Sequence, residues 1–551
     1  MGPAAWAGPS PAEAELWARG RPVESPFENP YALSEADLAA AQNRGARHAW
    51  QWPVNETGLL IPYEAMDRYL EAAEDNPFKR FLVNLAGPIF PFRNFKGLFE
   101  WLGLAPERRE AAASPYHWPR PEGATEHAFI GAALIRTPYG EGLTFSCGSC
   151  HASDFFGRSV PGLTNKRPRS NEFFWRVKRT LPFASPALFK QGLAASDEEV
   201  ALFRRSQRQI GAVRPIRPLS LGLDTSLAHV GRSLAARADD GWASFQPLRE
   251  KFPRRHELDE HRADSKPMPW WTLKYKNRWL SDGSVVSGNP ILTNLLWNEI
   301  GRGTDLRKLE AWLAQNEDVV KDLTTRVFST PAPRFTDFFP ASRVSLERAR
   351  RGEKLFRANC ASCHGHYEKA WNEPDASLLS EVEILETTRV RYHRTTPVID
   401  VGTEPDRSSG MGELSRQLNG LELSRRWGVL IEPQKGYVPP PLEGIFARYP
   451  YLHNASVPNL CALLEPVRRR PTSFVAGPAR DPATDYDFDC VGYPVGSKMP
   501  EAWFYDRDAY VDLGVSGRRA MGHERMLFAA DGKEKFSADD KRDLIEFLKT
   551  L

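Results

Sequence analysis

The chain has 551 residues, with 73 Lys and Arg against 70 Asp and Glu, 40 Gly, 45 Pro, 16 Trp and only 6 Cys. So small a basic excess argues against a nucleic-acid partner, and no run of about 18 apolar residues is present to form a membrane span. High aromatic, Gly and Pro content suits a loop-rich, mainly α chain wrapped around large apolar groups, and the length allows for more than one core.

In chain order, the first residues after Met1, GPAAWAGPSPAEAELW, contain neither a basic n-region nor an apolar h-region; the sequence is therefore expected to represent a mature protein. Phe81 to Phe92 is apolar but short, and it is broken by one Gly and two Pro. The first strong signal is Cys147-Gly148-Ser149-Cys150-His151. It recurs 213 residues later as Cys360-Ala361-Ser362-Cys363-His364. Random placement of these Cys and His residues would produce about 0.001 such pentapeptides per chain, so two are not accidental. C-x-x-C-H is the haem c attachment motif: the two thiols add across the vinyl groups of one porphyrin, and the adjacent imidazole becomes the proximal iron ligand. Zinc would need a second ligand pair near each motif, and redox C-x-x-C chemistry would not select His twice. Two covalently bound haem c groups are expected, on Cys147, Cys150 and His151 and on Cys360, Cys363 and His364. Covalent attachment takes place outside the cytoplasm, so a periplasmic or secreted location is expected.

The Pro-rich, aromatic stretch 329–341 reads as a linker between an N-terminal haem lobe with extensions (1–328) and a C-terminal cytochrome c lobe (342–551). No internal repeat is apparent beyond the two motifs. After the linker, Leu346, Ala349, Leu355 and Phe356 recur at helical spacing and lead into Cys360. The chain closes on a second amphipathic helix, with Ser537 as cap, Asp540 at the third position, and a stripe of Leu544, Phe547, Leu548 and Leu551. Cys461 and Cys490 are left over. In an oxidising compartment they are expected to close a roughly 30-residue segment as a disulfide, the alternative being two buried thiols. The cluster Arg468-Arg469-Arg470 reads as a solvated face or a haem-propionate contact.

The strings GIFARYPYLHNASVPNL, Tyr486-Asp487-Phe488-Asp489-Cys490-Val491-Gly492-Tyr493 and Gly522-His523, with the earlier WWTLKYKNRWLSDG, resemble the dihaem cytochrome c peroxidase superfamily. The resemblance is closest to its branch of bacterial dihaem rubber oxygenases. It covers both motifs and nearly all of 342–551, more thinly 130–300. It implies two cytochrome c-like haem lobes, the first heavily decorated, and a second iron held by His364 and His523, with His453 orienting the haem or its propionates. The first haem would be held by His151 alone, its distal face formed by Arg208-Gln209-Ile210 and by Trp270-Trp271. Gln209 is polar where an oxygenase keeps an apolar wall.

The resulting expectation is an exported dihaem oxidoreductase that activates dioxygen at the first haem, with apolar alkenes or isoprenoids as the implied substrate class and the second haem as electron store or relay. A dihaem peroxidase using hydrogen peroxide is the rival enzyme, and a dihaem electron carrier the non-enzymatic alternative. Either enzyme leaves room for a redox partner protein.

Overall fold

A computed structural model describes residues 8–87, 91–122, 128–223, 225–245 and 263–551. Helices predominate. Among the described residues the strands are short, forming one three-stranded sheet and several two-stranded pairs joined by long loops.

Two helix crossings organise the molecule. The helix Leu346–Asn359 starts at Ser345, whose side chain accepts from the Arg348 N–H, and it buries Ala349, Gly352, Glu353 and Phe356 on one face. That face meets the C-terminal helix Ala538–Lys549, capped by the expected Ser537–Asp540 box and burying Leu544, Phe547 and Leu548. At the crossing a Cβ on Gly352 would collide with the Asp543 carbonyl oxygen, so only glycine lets the backbones approach this closely. The Asp543 carboxylate is gripped from the other helix by Arg348 Nη1 at 2.9 Å and Arg351 Nε at 2.7 Å.

The second crossing was not evident from the sequence. The helix Glu35–Trp50, capped by Ser34, buries Ala41, Gly45, Ala46, Ala49 and Trp50 against the helix Glu317–Ser329. A Cβ on Gly45 would collide with the Asp322 carbonyl oxygen. Arg44 grips the Asp322 carboxylate through Nε at 2.6 Å and Nη2 at 2.8 Å. Arg-Gly on one helix and Asp on the other thus form a repeat of contacts where the sequence shows no extended repeat.

The expected boundary needs correction. Phe335 and Phe339, within 329–341, are buried in the core that contains Phe356, Phe446, Tyr449 and Phe547; this stretch is too apolar to remain a solvated linker. The chain then returns to the first core, where Met411, Leu414, Leu418, Leu421, Trp427 and Ile431 pack with residues such as Trp297, Leu309 and Val320. Leu430–Ile431 also pairs with Val285–Ser287 as antiparallel strands. The segment 342–551 is therefore not a self-contained body. Cys461 and Cys490 form the expected disulfide.

Candidate functional site

The second motif follows helix 346–359 directly as the one-turn helix Ala361–His364. Cys360, Cys363 and His364 line an apolar cavity with an empty volume of about 1550 Å3, open solvent included. Its walls come from both crossing helices (Phe356, Leu544, Leu548) and from Leu442, Ile445 and Leu460. His364 Nδ1 lies 2.9 Å from the Pro440 carbonyl. As donor to that oxygen it leaves the Nε2 lone pair for a metal, the usual arrangement of a ligating histidine.

His523 faces His364 across this cavity, with the ring centroids 6.2 Å apart. Two imidazoles on opposite sides of one iron, each bonded at about 2.0 Å, would have centroids about 6.3 Å apart. The local backbone serves this placement. Gly522 and His523 both have positive φ, 82° and 56°, a Cβ on Gly522 would strike the Thr403 backbone, and the His523 N–H donates to the Val401 carbonyl at 2.8 Å. Arg470 supports the same loop by donating to the Ala520 carbonyl at 2.9 Å. Of the three basic residues read as a solvated face or a haem-propionate contact, Arg470 is thus buried support. Burial pushes His364 down to about 4 and His523 down to about 3, the latter helped by the charges of His364 and Arg470. Both shifts favour the neutral ring, the form that binds metal. His453 lines the same cavity with its ring stacked on Tyr437, centroids 4.0 Å apart.

The first motif is delivered by a hairpin. Strand Ala132–Thr137 pairs antiparallel with Gly140–Phe145, and the one-turn helix Gly148–His151 follows. Cys147 and His151 line a cavity of about 990 Å3, open solvent included. Four tryptophans, Trp52, Trp270, Trp279 and Trp297, share its wall with Ile291, Leu295, Leu323 and Val327. The polar side chains on the wall are Ser265, Lys266, Ser281, Thr293, Asn294 and Arg407. Trp270 packs on the His151 ring, centroids 5.6 Å apart and planes 34° apart. Gly162 ties the two together, donating to the His151 carbonyl at 2.8 Å and accepting from the Trp270 N–H at 3.1 Å. Burial pushes His151 down to about 4, opposed by the backbone of Met268.

No second histidine lines this cavity among the described residues. His229 is engaged at both nitrogens, Nδ1 2.8 Å from Asn171 Oδ1 and Nε2 3.0 Å from the Gly301 carbonyl. His256 and His261 lie outside the described residues.

Four expected distal residues, Arg208, Gln209, Ile210 and Trp271, are placed elsewhere. Gln209 ends the helix Asp197–Gln209 and lines a groove with Arg204, Arg205 and Arg208. Ile210 is buried with Phe145, Phe173 and Phe174. The resemblance implied that they form the distal face, but the intervening chain does not carry them to this cavity. Trp271 also turns away, its Nε1 donating to the Glu443 carbonyl at 2.9 Å within the second core. Consecutive residues of a tight 3-10 turn (Trp270–Tyr275) point in different directions, so of the two tryptophans only Trp270 lines the cavity. The sequence reading missed Trp52, Trp279, Trp297 and Arg407; a lone tryptophan carries no signal that separates cavity wall from core.

The donor sets fit haem c: the second cavity brings Cys360 and Cys363 to His364, the first brings Cys147 to His151, and both have largely apolar walls. Comparison with known proteins agrees for the second region. The family described as "RoxA-like, cytochrome c-like" matches residues 436–475, the stretch that holds Pro440, Arg448 and His453. Two curated relatives come from Sinorhizobium fredii (strain NBRC 101917 / NGR234). One, the uncharacterized protein y4iM, is 29% identical over 227 residues, 38% of this chain and 49% of its own length. The other, the uncharacterized protein y4iJ, is 34% identical over 123 residues, 22% of this chain and 19% of its own. The chain thus spans about half of one relative and about a fifth of the other. A RoxA-like cytochrome c-like segment supports covalently bound haem c and oxidoreductase chemistry. Among the described residues no helix is long and apolar enough to cross a membrane.

Proposed function

We propose that the protein is an exported dihaem c oxidoreductase that works at the first cavity and keeps an electron reserve in the second. The observation that carries this reading is the asymmetry in imidazoles: a facing pair, His364 and His523, in one cavity, and His151 alone among the described wall residues of the other. Bound haem supplies an iron site open to dioxygen or peroxide where the protein gives one ligand, and an electron-transfer centre where it gives two.

His151 holds its side of the first cavity, with Trp270 fixing the ring. The tryptophan wall excludes water and offers apolar surface to an organic substrate, which supports alkenes or isoprenoids as the substrate class. His364, oriented by Pro440, and His523, oriented by its left-handed turn, close both faces of the second site. Oxygen activation is favoured by Gln209 lying away from the cavity, since the polar side chain at odds with an apolar oxygenase wall is then not part of that wall. One observation favours the peroxidase reading: Arg407 and Asn294 line the first cavity and could donate to a bound peroxide. Either activity admits a redox partner protein.

Absorption spectra test the reading. Haem staining and a pyridine haemochrome assay should count two haems, and cyanide or imidazole should bind one and leave the other unchanged. Two low-spin haems that refuse every added ligand would instead make the protein an electron carrier. Substrate turnover with dioxygen or with hydrogen peroxide separates the two enzymes.

A further inference from the structure

The two cavities share a wall. Lys266, Pro267, Met268 and Ser281 line both of them, so one thickness of chain separates the two sites. Lys266 is held firmly there: its N–H donates to the His453 carbonyl at 2.8 Å, and its Nζ donates to the Arg448 carbonyl at 2.8 Å and the Pro450 carbonyl at 2.5 Å. An ammonium has three donors, and these two bonds leave one. Neither acceptor is an anion. The charges that act on Lys266 are those of Arg448 and Lys166, both cations, and burial together with these charges pushes it well below the usual lysine range. Arg448 is likewise buried and bonded to carbonyls, with the charge of Glu443 acting on it in part against burial. It lines the second cavity, its Nη1 donates to the Pro441 carbonyl at 2.6 Å, and its Nε has no partner.

Buried cations persist where an anion completes them, because an uncompensated charge in low dielectric is costly. We propose that Lys266, with Arg448 beside it, is a carboxylate site shared by the two cavities, which takes a propionate from the cofactor on each side. The inference rests on the dihaem reading and adds that the acidic edges of both cofactors converge on one lysine. Such a lysine positions the cofactors and tunes both irons, since a cation near a haem favours the ferrous state, which carries one positive charge fewer.

Optical redox titration of the intact holoprotein tests this. Lys266→Met should lower the midpoint potentials of both haems, and Lys266→Arg should restore most of each shift. A fully folded Lys266→Met protein that retains two haems at unchanged potentials would show that the lysine only braces Arg448 and Pro450. A shift confined to one haem would overturn the shared role. Should Lys266→Met fail to fold, resonance Raman spectra of the wild type decide: the propionate bending modes of both haems should shift between H2O and D2O, and modes insensitive to exchange overturn the proposal. A haem count below two in the wild type marks failure of the dihaem reading itself, a result visible before any potential is measured.

Discussion

The two helix crossings are built from the same parts, yet they reach their motifs by different routes. In each, an Arg-Gly pair lets one helix settle on a partner whose Asp offers its carbonyl to the glycine and its carboxylate to arginine. Cys360 follows Gly352 by only 8 positions, whereas Cys147 follows Gly45 by 102. Even so, the end of the first helix arrives beside its motif: a Cβ on Gly148 would lie 3.3 Å from the Ala49 carbonyl oxygen. In both regions, therefore, a helix end and a motif are adjacent in space, and the chain between them can be long. The regions differ in what faces the proximal histidine, and the chemistry is assigned on that difference.

The sharpest way to break the comparison is to overfill both crossings. Gly45→Val and Gly352→Val each drive methyl groups into a backbone carbonyl, with no flexible side chain to yield. Each should cost more than about 3 kcal/mol, at the severe end for overpacking, as measured by denaturant unfolding. A mild effect at Gly45 beside a severe one at Gly352 would mean the first crossing only resembles the second.

Removing an imidazole comes next. His523→Ala should turn the second haem high-spin and leave the bands of the first unchanged. If His453→Ala has that effect instead, the ligand has been misassigned despite the 6.2 Å facing geometry of His364 and His523. Smaller still is the staple in the second region. Replacing Cys461 and Cys490 by Ser opens a loop with a sequence separation of 29 and should cost about 3 kcal/mol. The spectrum of the first haem should not respond, and a response would show that the regions are more tightly coupled than their cavities suggest.

The second region was legible because its signals are local. A helix, a motif and a capped terminal helix follow one another with little interruption, and the Gly522-His523 string marks the facing ligand. The shared chain at 411–431 was invisible, because amphipathic helices do not announce which of two cores they join. The first crossing was hidden by distance: Arg44-Gly45 lies so far from Cys147 that nothing in the sequence connects them. Of the expected distal residues Trp270 does line the first cavity, whereas Arg208, Gln209 and Ile210 lie elsewhere because the hairpin and the intervening helices do not carry the chain straight back to the motif.

The neighbouring tryptophans give the finest test. Trp270 packs on His151 and lines the first cavity, whereas Trp271 is hydrogen-bonded to the Glu443 carbonyl in the second core. Trp270→Phe keeps an apolar ring but loses its broad contact with the imidazole, so the cyanide or imidazole affinity of the first haem should change several-fold with little loss of stability. Trp271→Phe should leave that affinity alone and cost about 1 kcal/mol in unfolding, the value of one lost hydrogen bond. Gln209→Leu, at a groove away from the cavity, should change neither quantity. An affinity that follows Trp271 or Gln209 in place of Trp270 would return the distal wall to the residues that the family resemblance implied, and the open site would then have to be rebuilt around a different set of residues.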